Sequence, residues 1–429
     1  MKYCQTIITN ILVFSLASFI NNLHAGDVIV TKISFIGSEL TRDHVLRREI
    51  QHQIGNPLDS VLLDQDQLRL ENLQLFSLVT WQAYQQSDTT CEVRFFLVET
   101  WRILPGLAPV YDEKTGWSLS GLLIINNFRG LNQSIQLSGI IGGITSYSIQ
   151  FHDPWIMGDR ISLQTEFQNQ RFEHYFLPYR QRLLTAQIKI GKDYYYRHKL
   201  RARLKISDSS YSSDSLKIAN FRYILPLLTY AFDTRNLYSD PFSGGLLSAS
   251  VTLGLAPEQN DQHYSRIDIS ISRFVRLAGT NKRLVAAFNI KTGLRQGYQD
   301  EFSLEYLGGA YTVRGWQPPD RELYSDLNNH FRFGHQTLTT SFELRQTIIP
   351  KFATALRNES GLSIVAFLDC GVVAHQPSEL LEQTPLIGTG FGIRIPSPMI
   401  GQLRLDYGWG FYSGKSAGKH LHLAFNNLF

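Results

Sequence analysis

From residue 101 to its end the chain alternates between apolar and polar positions. Leu200, Ala202, Leu204 and Ile206 alternate with Arg201, Arg203, Lys205 and Ser207. Leu284, Ala286, Phe288 and Ile290 alternate with Val285, Ala287, Asn289 and Lys291. Ile161, Leu163, Thr165 and Phe167 do the same against Ser162, Gln164, Glu166 and Gln168. A side-chain period of two sends each set to a separate face of a strand. In a soluble sandwich the apolar face packs on a second sheet. In a transmembrane barrel it faces lipid and the polar set lines the lumen. Neighbouring strands keep their charges on one parity, and no helix-length segment covers a sheet. That pattern favours the barrel.

The first hundred residues read differently. Residues 28–35 form an alternating strand that ends at Gly37. The segment 41–54 reads as a helix capped by Thr41, with Val45, Leu46 and Ile50 on one face, stopped by Gly55 and Pro57. A second helix is predicted over 62–75, followed by a hairpin of 76–81 and 91–98. The order is β-α-α-β-β. Ahead of it, Lys2 and the apolar stretch 7–20 lead into Asn21-Asn22-Leu23-His24-Ala25, which reads as a secretory signal peptide cleaved after Ala25. The expected organisation is a leader (1–25), a small α/β domain (27–100) and a barrel (101–429).

Loop lengths set the strand count. Short turns and longer loops alternate along the chain, and the longest gap, 297–336, belongs to one end of the barrel. The strand at 117–126 needs an oppositely directed strand before it, and only 101–111 supplies one. Five strands follow the long gap, at 337–349, 361–373, 386–396, 402–412 and 419–429. The total is sixteen, an even number. The last strand places Leu421, Leu423, Phe425 and Phe429 on one parity. The fold class expected is therefore mainly β: a sixteen-stranded antiparallel transmembrane β-barrel preceded by one small α/β domain.

Composition narrows the function. After the leader there is no run of eighteen apolar residues, so no membrane-spanning helix is available. A formal net charge of +4, with no clustered basic patch along the sequence, gives no reason to expect nucleic acid. Cys91 and Cys370 are too few for a disulfide framework. No Cys/His spacing suggests a metal, no glycine-rich phosphate loop follows a strand, and no cofactor is expected. Residues 414–418 fit G-x-S-x-G, but a nucleophile there needs a strand–turn–helix elbow. Between the last two strands the segment reads as a Gly/Ser hairpin turn, so no catalytic residue is assigned.

The segment 306–320, YLGGAYTVRGWQPPD, lies inside the long gap and carries a lone basic residue between turn elements. Its core, Val313-Arg314-Gly315-Trp316, resembles the VRGF/VRGY motif of the BamA/TamA-like outer-membrane assembly family, where the motif sits on a loop folded back into the barrel. The α/β part resembles that family's periplasmic POTRA module, through NLQLFSLVTW and the closing Glu99. Residues 230–245, 339–350 and 366–373 resemble its mid-barrel turn and two of its later strands, and the terminal Phe429 resembles its insertion signal.

Alternation points Glu343 and Asp369 inward, where the family has acidic partners for its loop arginine. A buried guanidinium needs such partners. An Arg314–Glu343/Asp369 latch is expected to pin the loop. Pro105 and Pro109 lack amide hydrogens on one edge of the first strand. That edge is expected to face the last strand, with Phe425 and Phe429, across a weak seam.

The resemblance implies an outer-membrane protein with its POTRA-like domain in the periplasm, inserting or translocating unfolded outer-membrane or secreted client polypeptides in contact with outer-membrane lipid. Periplasmic chaperones or accessory subunits are further partners it allows. A POTRA-like domain receives clients by strand addition. A dedicated secretion pore for one exported partner, or a passive channel, are the rival readings. The single POTRA-like domain departs from the several found in many relatives.

Overall fold

The computed structural model describes residues 28–112, 116–158, 160–213, 216–353, 359–397 and 401–425. The predicted leader and Phe429 lie outside the described residues.

In the small domain, β1 (Ile29–Ile36) runs parallel to β3 (Thr90–Glu99), which pairs antiparallel with β2 (Phe76–Ser87). Helices α1 (Asp43–Arg47) and α2 (Ser60–Glu71) complete the predicted β-α-α-β-β order. Val30, Ile33, Leu46, Leu63, Leu70, Val93 and Phe95 form the core.

The first helix is much shorter than the periodicity suggests. Val45 and Leu46 satisfy the apolar face within one turn. Beyond it, the amides of Gln51 and His52 donate to the Asp66 carboxylate at 2.7 and 3.1 Å. A tertiary partner thus replaces the helical one. Nor does Thr41 cap the helix. Its hydroxyl donates to Glu99 Oε1 at 2.6 Å, and Glu99 also receives the amides of Leu40 and Thr41.

The rest is one sheet of sixteen strands, paired antiparallel in an order that follows the sequence. Its first part comprises β4 (Ile103–Asp112), β5 (Gly116–Phe128), β6 (Gln133–Gly142), β7 (Thr145–Asp153), β8 (Ile161–Glu173), β9 (Arg180–Tyr194), β10 (His198–Ser213) and β11 (Leu216–Asp233). Then come β12 (Gly244–Gly254), β13 (Tyr264–Ala278) and β14 (Leu284–Gly297). A long excursion carries the two-residue strands β15 (Glu305–Tyr306) and β16 (Phe333–Gly334) and the short helix α3 (Arg321–Ser325). The sheet resumes with β17 (Gln336–Ala353), β18 (Glu359–Ala374), β19 (Leu386–Ser397), β20 (Gly401–Tyr412) and β21 (Lys415–Phe425).

The last strand begins at Lys415, not 419. The turn is Ser413-Gly414, both at positive φ, so most of the G-x-S-x-G segment is strand. Alternation sorts the faces as the sequence implies. Leu204, Ile206, Phe288 and Leu368 are exposed on the outer surface, and Val285, Ala287 and Asn289 are buried inside. A barrel that faces lipid explains both sets.

The small domain packs against one end of the sheet. Thr41 Oγ1 accepts from Asn127 Nδ2 at 2.8 Å, at the end of β5. Tyr196, beyond β9, donates to the Arg48 carbonyl at 3.1 Å. Asn72 exchanges two bonds with the turn after β11, to the Asn236 carbonyl and from the Tyr238 amide, both 3.0 Å. The Arg48 guanidinium stacks 4.3 Å from the ring centre of Trp155. Burial beneath this contact pushes the Glu49 carboxyl above its ordinary range, while Arg48, 3.4 Å away, pulls it down. The excursion 298–335 leaves the barrel from the opposite end.

Candidate functional site

The tip of the excursion turns back into the lumen and presses against β17 to β20. Val313 is fully buried among Leu307, Trp316, Val373 and Leu386. Arg314 is fully buried too. Its Nε donates to Asp369 Oδ2 at 2.7 Å and its Nη2 to Asp369 Oδ1 at 2.8 Å, a bidentate pair. Its Nη1 donates to Glu343 Oε1 at 2.6 Å, and its backbone amide adds a 3.0 Å bond to Asp369. The Phe367 ring centre lies 3.8 Å from the guanidinium carbon. Lysine offers one point charge and no planar fork, so it cannot reproduce this set.

Glu343 and Asp369 reach the site because the strand period turns them inward. Phe342 and Leu344 flank Glu343 on the outer face, and Leu368 is exposed beside Asp369.

The site extends beyond the residues that alternation singled out. Arg345 Nε donates to Glu343 Oε2 at 2.7 Å. Arg394 bridges Glu343 at 3.3 Å and Asp406 at 2.6 Å. Asp406 lies 3.6 Å from Arg314 Nη1. Arg404, fully buried, donates to the Ala310 carbonyl of the loop. Four arginines and three carboxylates thus form one buried network around the loop tip. Desolvating these charges is costly, and their mutual bonds offset that cost only while the set is complete.

Two further contacts tie the motif to the wall. Trp316 Nε1 donates to the Ile387 carbonyl at 2.9 Å. The Gly315 amide donates to His422 Nε2 on β21 at 2.9 Å. That ring nitrogen therefore carries no proton, and His422 holds the motif as a neutral imidazole. The backbones themselves nearly touch. Gly315 sits at φ +84°, where a Cβ would meet the Trp409 backbone within 2.6 Å. A Cβ at Gly388 would lie 1.8 Å from the Arg314 carbonyl oxygen. Glycines at inward parity in GTGFG (388–392) and GWG (408–410) are the legible trace of this close approach, and Asp406 sits at the same parity in LRLDYG.

The first and last strands bound the sheet. Among the described residues no ladder joins β4 to β21. The Asn126 amide donates to the Arg102 carbonyl at 2.7 Å, so even-numbered residues of β4 point their backbone groups toward β5. Pro105 and Pro109, opposite Leu123 and Leu119, occupy the other parity. Their nitrogens face away from β5, on the free edge of β4. Phe425 ends β21, opposite Leu403.

A sixteen-stranded sheet behind a β-α-α-β-β domain has known counterparts. Residues 127–426 match the Omp85 superfamily domain, and residues 28–99 match the POTRA model, described as a surface antigen variable number repeat. The chain belongs to the Omp85 superfamily. It is an outer-membrane protein with its POTRA domain on the periplasmic side.

The outer membrane protein assembly factor BamA of Neisseria meningitidis serogroup B is 26% identical over 159 residues, 36% of this chain and 20% of that protein. The match spans a fifth of that relative's length. Among solved structures, BamA from Haemophilus ducreyi lacking POTRA domains 1–3 superposes with a TM-score of 0.55 at 17% identity, covering 92% of this chain and 83% of that one. CdiB from Escherichia coli gives 0.61 at 14% identity, covering 93% and 75%. These likenesses concern the fold.

Proposed function

We propose that this Omp85 protein inserts or translocates client polypeptides, and that the tucked loop and the seam between β4 and β21 are its working parts. The POTRA sheet order β1-β3-β2 supports delivery by strand addition. The edge of β1 is occupied, since Val30 bonds to Asn56 and Gly55. Among the described residues β2 pairs only with β3, which leaves an edge for an extended client. At the seam, two ladder donors are missing on the β4 side, each worth about 0.5–1.5 kcal/mol. That makes β4–β21 the pair most easily parted, and a parted edge templates an incoming strand.

The observation that carries this reading is the Arg314 network. It fixes a loop tip against the four strands next to the seam and, through His422, against the seam strand itself. The name of the Neisseria relative, an assembly factor, agrees with it. A pore dedicated to one exported partner is the second reading, favoured by the open cavity at the periplasmic mouth.

Depletion of the protein in its host, followed by quantitative proteomics of outer membrane and culture medium, separates the two. Loss of many outer-membrane proteins is the expected result. Loss of one exported protein, with the outer membrane unchanged, selects the secretion pore. No change in either contradicts both.

A further inference from the structure

Opposite the loop-covered wall, β9 and β10 present a different surface to the lumen. Lys189, Arg201, Arg203 and Lys205 share the inward parity, since Leu204, Ile206, Ile188 and Ile190 are exposed on the outside. The register sets Lys189 directly opposite Arg203. Like charges facing across a ladder destabilise it. Arg201 is paired with Asp193. None of the ion pairs or side-chain hydrogen bonds among the described residues involves Lys189 or Lys205, and Arg203 Nε is buried without a partner. The one carboxylate acting on both lysines, Glu166, is held by Gln187 Nε2 at 2.7 Å. Three cations thus share one carboxylate in the barrel wall, at a cost to the fold.

A cavity of about 860 Å³ at the periplasmic mouth reaches the near end of this row, at Lys189 and Arg201. Lys189, Arg201 and His152 line its barrel side, and Arg69, Leu75 and Phe76 of the POTRA domain line the other. Phe76 begins β2. A client paired along β2 is therefore presented to this cavity.

We propose that this cation cluster is a binding track for an acidic stretch of polypeptide in extended conformation. Arg201, Arg203 and Lys205 stand at every second residue of one strand, about 7 Å apart. That is the spacing of alternate side chains in an extended chain, so successive carboxylates on one face of a client meet successive cations. A small anion engages one of them at a time. The inference deepens the reading of this protein as a handler of polypeptides by naming the client's charge and conformation.

The test uses full-length protein in lipid nanodiscs and a fluorescein-labelled deca-glutamate peptide. Binding is expected for the native chain. The triple change K189Q/R203Q/K205Q should weaken it by about tenfold or more, the scale of three lost charge contacts. The charge-preserving K189R/R203K/K205R should keep it, and this separates lost charge from lost fold. Equal binding by the glutamine variant overturns the proposal. Displacement of the peptide by inorganic phosphate or polyphosphate at equal charge also overturns it, and assigns the cluster to a phosphate-bearing ligand. Because the readout is binding of a peptide in vitro, a failure here leaves the depletion result standing, and a failed depletion experiment leaves this binding standing.

Discussion

Two walls of the same barrel obey the same alternation and end in opposite states. On β17 to β20 the charges around the loop tip meet the loop or one another, all of them buried, and glycines let backbones approach. On β9 and β10 the inward charges are half-buried, with cation opposite cation, and Lys189 and Arg201 face a cavity. The strand period decides only that both sets point inward. What covers the wall decides whether they become a lock or a landing surface. The covered wall adjoins the seam, and the open wall adjoins the mouth where the POTRA domain sits. Under the proposed function, the difference maps onto two tasks, holding the barrel's seam and receiving a client.

The largest expected effect comes from breaking the lock. Arg314→Ala leaves Glu343 and Asp369 buried without their guanidinium, a loss of about 3–5 kcal/mol locally. The barrel should still form, as a heat-modifiable band on gels, while the segment 298–335 becomes protease-sensitive and client handling falls. Unchanged loop proteolysis with full activity removes the lock from the account.

A smaller effect is expected at the seam strand. His422→Leu removes the acceptor for the Gly315 amide and costs about 1–3 kcal/mol. His422→Gln, which restores an acceptor, should recover most of it. Hydrogen exchange along 415–425 should quicken in the leucine variant and not along 336–353. Equal exchange in both variants would mean that the imidazole does not connect loop to seam.

The smallest effect has the opposite sign. Lys189→Gln relieves the charge pair with Arg203 and should raise thermal stability by about 0.2–1 kcal/mol. A loss of stability would show that the open wall is as well matched as the covered one, and the contrast between them would disappear.

Much of this was legible in the sequence, for one physical reason. A period of two is a local property, so the outer face, the strand count, and the inward aim of Glu343 and Asp369 follow without knowing what they meet. Partners are not local. Asp406, Arg394 and His422 share the same parity, yet only the path of the loop reveals that they surround its tip. The sequence likewise shows Arg201, Arg203 and Lys205 at alternate positions of one strand, but Lys189 becomes a neighbour of Arg203 only through the β9–β10 register. The helix over-read at 41–54 is the reverse case. Its periodicity fits a helix, but Asp66 takes the amides of residues 51 and 52 from outside the segment. The prolines of β4 were legible as a pair on one edge. Which edge follows only from the bond between Asn126 and Arg102.

The central claim is that the barrel works by parting β4 from β21 while the loop holds the edge. Cysteine pairs placed between 103–107 and 419–423, in a chain with Cys91 and Cys370 replaced by serine, test it most directly. With the disulfide formed, client insertion in reconstituted membranes should stop, and reductant should restore it. Full insertion activity in protein quantitatively crosslinked across the seam would contradict the claim and direct the client through the lumen.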